Sequence, residues 1–408
     1  MGHSMTTALR TPKAVAPVRL ATPVAPKILF YSHDTFGLGN IRRTLLLAET
    51  LGAAYPRGSL LIVTGSPMIH AFRIPPRTDY IKLPCIDRTT ADRYRPAFLT
   101  MQAGEVAAIR RGVLEHSMLA FAPDLMVVDK RAGGIEGELI EPIRALRRRH
   151  PLVKLVLGVR DILDEPSKTR DSLKRTRDMA IIARYYDEVW IYGERAIFDA
   201  VTEYGFPPDV SAKTRFCGYL KRPTQPPRRH NGPPRVLVTT GGGGDGTDLI
   251  EAYLEGLIAL PRSVALETTV VFGPQMSLAD RARLLDRFAM LADVTFVEFE
   301  SDLTERYASA DIVVSMAGYN TVCELLSCAI RAVLVPRTKP VGEQLLRARL
   351  LAARGMFDLV EPSELRPDRL MATVLAALAR RPASRTIDLD GLPRIQDRVR
   401  ALLNGTDT

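Results

Sequence analysis

The sequence predicts an α/β protein made of two doubly wound, Rossmann-like halves facing a central cleft. Three observations predict it. Short apolar runs alternate with amphipathic segments along most of the chain, which is the pattern of parallel strands covered by helices. At 408 residues the chain exceeds what one core ordinarily supports. A polar stretch at 221–234 holds five prolines, and after it the alternation starts again.

In the first half the apolar runs predict strands at 27–31, 59–64, 124–129, 152–158 and 188–192. Apolar residues at helical spacing predict helices at 41–51, 100–120, 135–149, 168–185 and 194–204. The second half repeats the scheme, with strands at 235–240, 266–272, 294–297, 311–315 and 332–336 and helices between them and at 341–354 and 370–379. An amphipathic segment at 393–403 predicts a last helix that folds back across the cleft. The expected organisation is therefore a disordered tail over 1–26 and a first domain over 27–220. A linker over 221–234, a second domain over 235–385 and a terminal helical segment over 386–408 follow. Residues 1–4 read as a tag remnant before Met5, and the Ala/Pro/Thr-rich residues after them cannot bury a core.

Composition bounds the function. Apolar content of 46% and charged content of 25% are those of a soluble globular protein, and no apolar run reaches the ~18–20 residues that span a bilayer. The four cysteines form no CxxC pair, and no HExxH spacing occurs, so a reduced, cytoplasmic protein without a metal or other cofactor is expected. A net charge of +10 favours anionic partners. Sugar nucleotides, phosphorylated acceptors and an anionic membrane face all fit. Nucleic acid is not singled out, because basic runs such as Arg147–Arg149 sit where a helix should end.

Three loops of the second half share one logic. After the strand at 311–315 comes Met316-Ala317-Gly318-Tyr319-Asn320-Thr321, with Glu324 on the helix that follows. A glycine turn opening a helix aims N–H groups and the helix dipole at an anion, and a carboxylate on the first turns can take hydroxyls. The competing reading is a capping box, Thr321-x-x-Glu324. After the strand at 235–240 come Gly241, Gly242, Gly243 and Gly244, whose missing Cβ atoms let amides approach a phosphate. No Lys-Ser/Thr pair follows, so this is not a Walker loop. After the strand at 332–336 come Arg337, Lys339, Glu343 and Gln344, offering cations to a pyrophosphate and polar groups to sugar hydroxyls.

The first half offers weaker signals. Its first loop carries His33, Asp34, Gly37, Gly39 and Asn40 before Arg42 and Arg43. It reads either as a plain strand-to-helix turn or as a cleft floor with His33 or Asp34 as a general base. In the second case the two arginines face an anionic acceptor or membrane. Asp129-Lys130 and the run 159–165, with Arg160 and Asp161, end strands and are read as cleft residues or as local caps and ion pairs.

Together these residues resemble the glycosyltransferases of the two-domain GT-B fold, in the branch containing the MurG N-acetylglucosaminyltransferases. The resemblance lies in the run from Val297-Glu298-Phe299 through Tyr307–Asp311 to Glu324, Val335-Pro336 and Glu343-Gln344. The runs Arg42-Arg43, Gly318–Thr321 and Val335–Arg337 are similar to a group of predicted bacterial glycosyltransferases. The resemblance implies an inverting, metal-independent transfer from a UDP-sugar to a hydroxyl of a glycan, lipid-linked or other anionic acceptor. It implies that Glu324 takes the ribose hydroxyls, Gly318–Thr321 the diphosphate, Glu343 and Gln344 the donor sugar, and the backbone around Phe299 and Glu300 the uracil. The cysteines and the basic charge allow a cytoplasmic protein with peripheral contact at the inner membrane face. The family has a histidine where this chain has Asn40, so the resemblance leaves the base to His33, Asp34 or Asp161. A UDP-N-acetylglucosamine 2-epimerase and a non-catalytic sugar-nucleotide binder are the alternative readings.

Overall fold

A computed structural model describes residues 25–34, 37–90, 93–228, 230–380 and 386–405. The calls on residues 1–24, 381–385 and 406–408 lie outside the described residues.

The first half is a seven-stranded parallel sheet. Its strands are β1 (Lys27–Ser32), β2 (Ser59–Thr64) and β3 (Thr78–Lys82), then β6 (Leu125–Asp129), β7 (Lys154–Arg160), β8 (Glu188–Tyr192) and β9 (Thr214–Phe216). A separate hairpin, β4 (Ile86–Thr90) with β5 (Arg93–Pro96), precedes β6. The sheet order is β3-β2-β1-β6-β7-β8-β9, so the strand order reverses between β1 and β6. The second sheet comprises β10 (Arg235–Thr239), β11 (Glu267–Val271), β12 (Val294–Val297), β13 (Ile312–Ser315), β14 (Arg331–Leu334) and β15 (Asp358–Leu359). Its order, β12-β11-β10-β13-β14-β15, reverses between β10 and β13. In such sheets the crevice beyond the strand carboxyl ends, at the reversal, is where ligands bind.

Alternation along each strand explains the layers. Leu29 and Tyr31 pack into one core while Ile28 and Phe30 pack into another on the opposite face. Val236 and Val238 likewise face away from Leu237. Strands buried on both faces are apolar throughout, which is why they read clearly in the sequence. One core is continuous across the two halves, where Tyr219 stacks on Tyr319 with ring centroids 6.2 Å apart.

The helices that shape the cleft are α1 (Gly39–Ala54), α2 (Ala103–Phe121), α3 (Ile140–Arg149), α4 (Pro166–Thr176), α5 (Asp178–Tyr185), α6 (Ala200–Tyr204) and α7 (Pro208–Ala212) in the first half. The second half adds α8 (Thr247–Ile258), α9 (Leu278–Arg287), α10 (Thr304–Ser309), α11 (Tyr319–Cys328), α12 (Glu343–Ala352), α13 (Pro367–Ala379) and α14 (Gly391–Asn404). The last of these returns to the first half. Ile395 and Val399 are fully buried, Gln396 donates to the Thr50 carbonyl at 3.2 Å, and Arg398 pairs with Glu188 on β8.

Some elements differ from expectation. The helix expected over 168–185 is two helices, because Arg177 adopts a left-handed φ of 56° between them. The helix expected over 194–204 forms only from Ala200, capped by the Asp199 carboxylate. The segment 135–149 begins as a short 3₁₀ turn after Gly134, with α3 starting at Ile140. The edge strands β3 and β9 carried no signal, since TDYIK and TRF are too polar or too short to read as apolar runs. The 221–234 linker is anchored along the second half. Arg222 N–H donates to Ser327 Oγ at 2.9 Å, and Arg228 N–H to the Ala308 carbonyl at 2.7 Å.

Candidate functional site in the interdomain cleft

A cavity of about 390 Å³ lies between the two sheets, beyond their strand ends. The first half contributes the start of α1, with Gly37, Gly39 and Asn40, followed by Arg42 and Arg43, then Lys130 after β6 and Arg160 at the end of β7. The second half contributes Gly241, Gly242 and Gly243 after β10, and Phe299 and Glu300 after β12. It also supplies Met316 with Gly318, Tyr319, Asn320, Thr321 and Glu324 after β13, and Arg337, Glu343 and Gln344 after β14. The sequence-predicted loops therefore converge on one space.

The glycine loop is shaped by packing as well as by its opening. Gly241 and Gly243 have φ of 65° and 90°, which favour glycine. A Cβ on Gly243 would lie 2.6 Å from Gly273 Cα, so two backbones touch directly here. Gly244 does not reach the cavity wall; Asp245 takes its place and pairs with Arg337 at 3.0 Å.

Helix α11 starts with Gly318 as its N-cap and no side chain capping it. Its first residues, Gly318 to Thr321, line the cavity, at the end of the helix where unpaired N–H groups and the positive end of the dipole lie. Thr321 is the third helical residue, so the capping box expected as an alternative does not form. Glu324 instead accepts a hydrogen bond from Tyr307 Oη at 2.9 Å through one oxygen and pairs with Arg42 of the first half through the other. Asn320 also bridges the halves, donating to the Gly39 carbonyl at 2.9 Å and accepting from Arg222 at 2.7 Å. Helix α12 likewise opens on the cavity. Glu343, its first residue, is 1% exposed, lies 3.4 Å from Arg160 and 3.5 Å from Arg337, and keeps Oε2 without a hydrogen-bond partner.

The three residues read as candidate bases are not on the cavity wall. Asp161 is engaged in a buried ion pair between the halves. Arg347 of α12 holds both its oxygens, at 2.7 and 2.8 Å, and Tyr219 Oη adds a third bond at 3.2 Å. Arg347 is fully buried, and its third contact is the Ala317 carbonyl at 3.0 Å. Burial opposes the Arg347 charge, but the adjacent Asp161 outweighs it and raises the pKa. Ala317 is thus an anchor for the turn and does not line the cavity. Asp34 is fully buried and accepts from the Thr64 hydroxyl; burial raises its pKa from the ordinary 3.8 to about 6. His33 is 1% exposed, and its carbonyl is bonded by the Asn40 amide. Asn40 is fixed from its other end by Arg43, at 3.0 Å, and Arg43 is in turn held by Asp129 at 2.5 and 3.0 Å.

Sequence reasoning undervalued Lys130 and Arg160, which were visible only as neighbours of strand ends. It missed Gln275, which lines the cavity, and the bonds of Arg222 and Tyr307, whose partners lie far along the chain. Among the described residues no group of three or more His, Cys, Asp or Glu side chains is arranged to hold a metal ion.

Residues 236–389 match the family model of the glycosyltransferase family 28 C-terminal domain. The UDP-N-acetylglucosamine–N-acetylmuramyl-(pentapeptide) pyrophosphoryl-undecaprenol N-acetylglucosamine transferase of Phenylobacterium zucineum is 33% identical over 190 residues, 43% of this chain and 50% of that enzyme. The matched stretches span between 23% and 58% of the length of the curated relatives. Among solved structures, Acinetobacter baumannii MurG superposes with a TM-score of 0.57 at 18% identity, covering 92% of this chain and 99% of that one. A UDP-N-acetylglucosamine 2-epimerase superposes at 0.59 with 11% identity, covering 94% and 97%. These likenesses establish the GT-B fold for the molecule. The similarity to MurG enzymes beyond the fold rests on residues 236–389, which match the glycosyltransferase family 28 C-terminal domain, and on alignments covering part of the curated relatives.

Proposed function

We propose that the protein is a glycosyltransferase that moves a sugar from a UDP-sugar to a hydroxyl of an acceptor, with inversion and without a metal ion. One observation carries the reading. The uncapped start of α11, the start of α12 and the Gly241–Gly243 loop open on a single cavity, with Glu324 facing it. The donor diphosphate lies against the N–H groups of Gly318–Thr321 and of the glycine loop, near Arg337. Glu324 accepts from the ribose hydroxyls, Glu343 and Gln344 from the sugar, and the segment at Phe299 and Glu300 reads the base. As the acceptor oxygen attacks the anomeric carbon, the bond to the UDP oxygen breaks and the hydroxyl proton passes to water in the cleft. The charge that develops there meets dipoles already in place, which are worth roughly 3–4 kcal/mol per donor in comparable oxyanion sites.

The acceptor is taken to be a glycan, lipid-linked or other anionic molecule, bound by a protein working in the cytoplasm at the inner membrane face. Among the described residues no helix is long and apolar enough to cross a membrane.

Calorimetric titration with UDP, ADP and GDP tests the donor: UDP should bind best, and equal affinity for all three overturns a uracil site. Incubation with UDP-N-acetylglucosamine alone should leave the sugar unchanged at C2; inversion there replaces the transferase with the epimerase reading. Transfer should survive EDTA and give a product of inverted anomeric configuration by NMR.

A further inference from the structure

The carboxylate assigned to the ribose already has a partner on each oxygen. Tyr307 of α10 donates to one at 2.9 Å, and Arg42 of α1 pairs with the other from the opposite half. The Tyr307 bond is buried and lies within the second half, so it fixes the carboxylate whatever the first half does. Arg42 differs. Its side chain lines the cavity, is 22% exposed and reaches Glu324 across the cleft. A ribose hydroxyl that donates to that oxygen has to take it from Arg42.

A second arginine lets the exchange occur without stranding a charge. Arg222 of the linker donates to Asn320 Oδ1 at 2.7 Å, and its backbone N–H donates to Ser327 Oγ at 2.9 Å, both on α11. Its pKa is lowered first by burial and then by the Arg42 charge, while Glu324 acts in the opposite direction. When Arg42 withdraws, Glu324 keeps a counter-charge and Arg222 loses a like charge beside it. Without Arg222 the exchange would leave a buried carboxylate uncompensated, which is costly. The bond from Asn320 to the Gly39 carbonyl, at 2.9 Å, holds the starts of α1 and α11 together. The exchange therefore needs only the Arg42 side chain to move.

We infer that Arg42 is an intramolecular competitor of the donor ribose, a latch on Glu324 that a nucleoside must displace with its 2′- and 3′-hydroxyls. This rests on the reading of Glu324 as the ribose acceptor. A nucleoside with these hydroxyls replaces the bond that Arg42 gives up. One without them leaves Arg42 in place and gains nothing from Glu324.

The test is calorimetric titration with uridine and 2′,3′-dideoxyuridine. Both probes are neutral, so the loss of a cation from the wall does not by itself change their binding. In Arg42→Gln, uridine should bind roughly tenfold more tightly than in the parent, the worth of a hydrogen bond to a charged group, and dideoxyuridine should bind as before. Arg42→Lys keeps the charge on α1 without the guanidinium. It should show a smaller gain, again for uridine alone, and it decides the matter by itself should Arg42→Gln not fold. A uridine affinity that stays the same or falls overturns the latch, since Arg42 would then be idle or a contact of the donor. So does an equal gain for both probes, which a general loosening of the cleft would give. The donor reading fails separately: if Glu324→Ala leaves UDP affinity unchanged, Glu324 is not at the ribose and there is nothing for Arg42 to compete with.

Discussion

Glu324 shows how one side chain can look the same in two readings and differ in its partners. Its spacing from Thr321 suits a cap, yet it accepts from Tyr307 and pairs with Arg42, a residue 282 positions away. Glu324→Ala should weaken UDP roughly 10- to 100-fold, the range for hydrogen bonds to a charged group, with little change in melting temperature. Unchanged UDP affinity in calorimetry would remove Glu324 from the donor site. Asp34 gives a second prediction at this scale. Its folded pKa of about 6 lies above the ordinary 3.8, so the folded state holds the extra proton. Stability tied to Asp34 is therefore fully present below about 3.8 and is lost as pH rises through about 6. Asp34→Asn should add up to about 3 kcal/mol at pH 7 and flatten stability between those limits. Urea unfolding at pH 4 and pH 7 measures it; an equal effect at both would mean that burial of the charge is not the cause.

At the scale of elements, the loops after β10, β13 and β14 were legible because each joins a clear apolar strand to a helix through glycine or proline. What they contact was less legible. Four glycines in a row suggested amides that approach a phosphate, and Gly243 also packs its backbone on Gly273. Gly243→Ala should strain a φ of 90° and push the loop off Gly273, costing about 1–3 kcal/mol and most of the UDP affinity. Circular dichroism should stay native. Retained UDP binding in this variant would count against the loop as a phosphate site. The edge strands and the broken helix at Arg177 escaped sequence reading for a simpler reason. A polar five-residue strand and a single left-handed residue leave no periodic trace.

For the whole molecule, the Arg347–Asp161 pair joins the halves and, through the Ala317 carbonyl, holds the turn that starts α11. Asp161→Asn leaves a buried guanidinium without its counter-ion and should cost about 3–5 kcal/mol in urea unfolding. The double variant Asp161→Leu with Arg347→Met should recover much of that loss. If the single variant is as stable as the parent, the pair is not what fixes the two halves together. By itself the sequence determined two α/β halves, the linker between them and the three glycine- or proline-marked loops of the second half. These follow from periodicity and from backbone limits that act over a few residues. Only the tertiary structure decided which charged groups face the cavity. Asp161 and Glu324 both follow strand ends, but their partners arrive from across the cleft, Arg347 186 residues after the first and Arg42 282 residues before the second. Coulombic pairing depends on distance in space, and that distance exists only once both halves have folded and met.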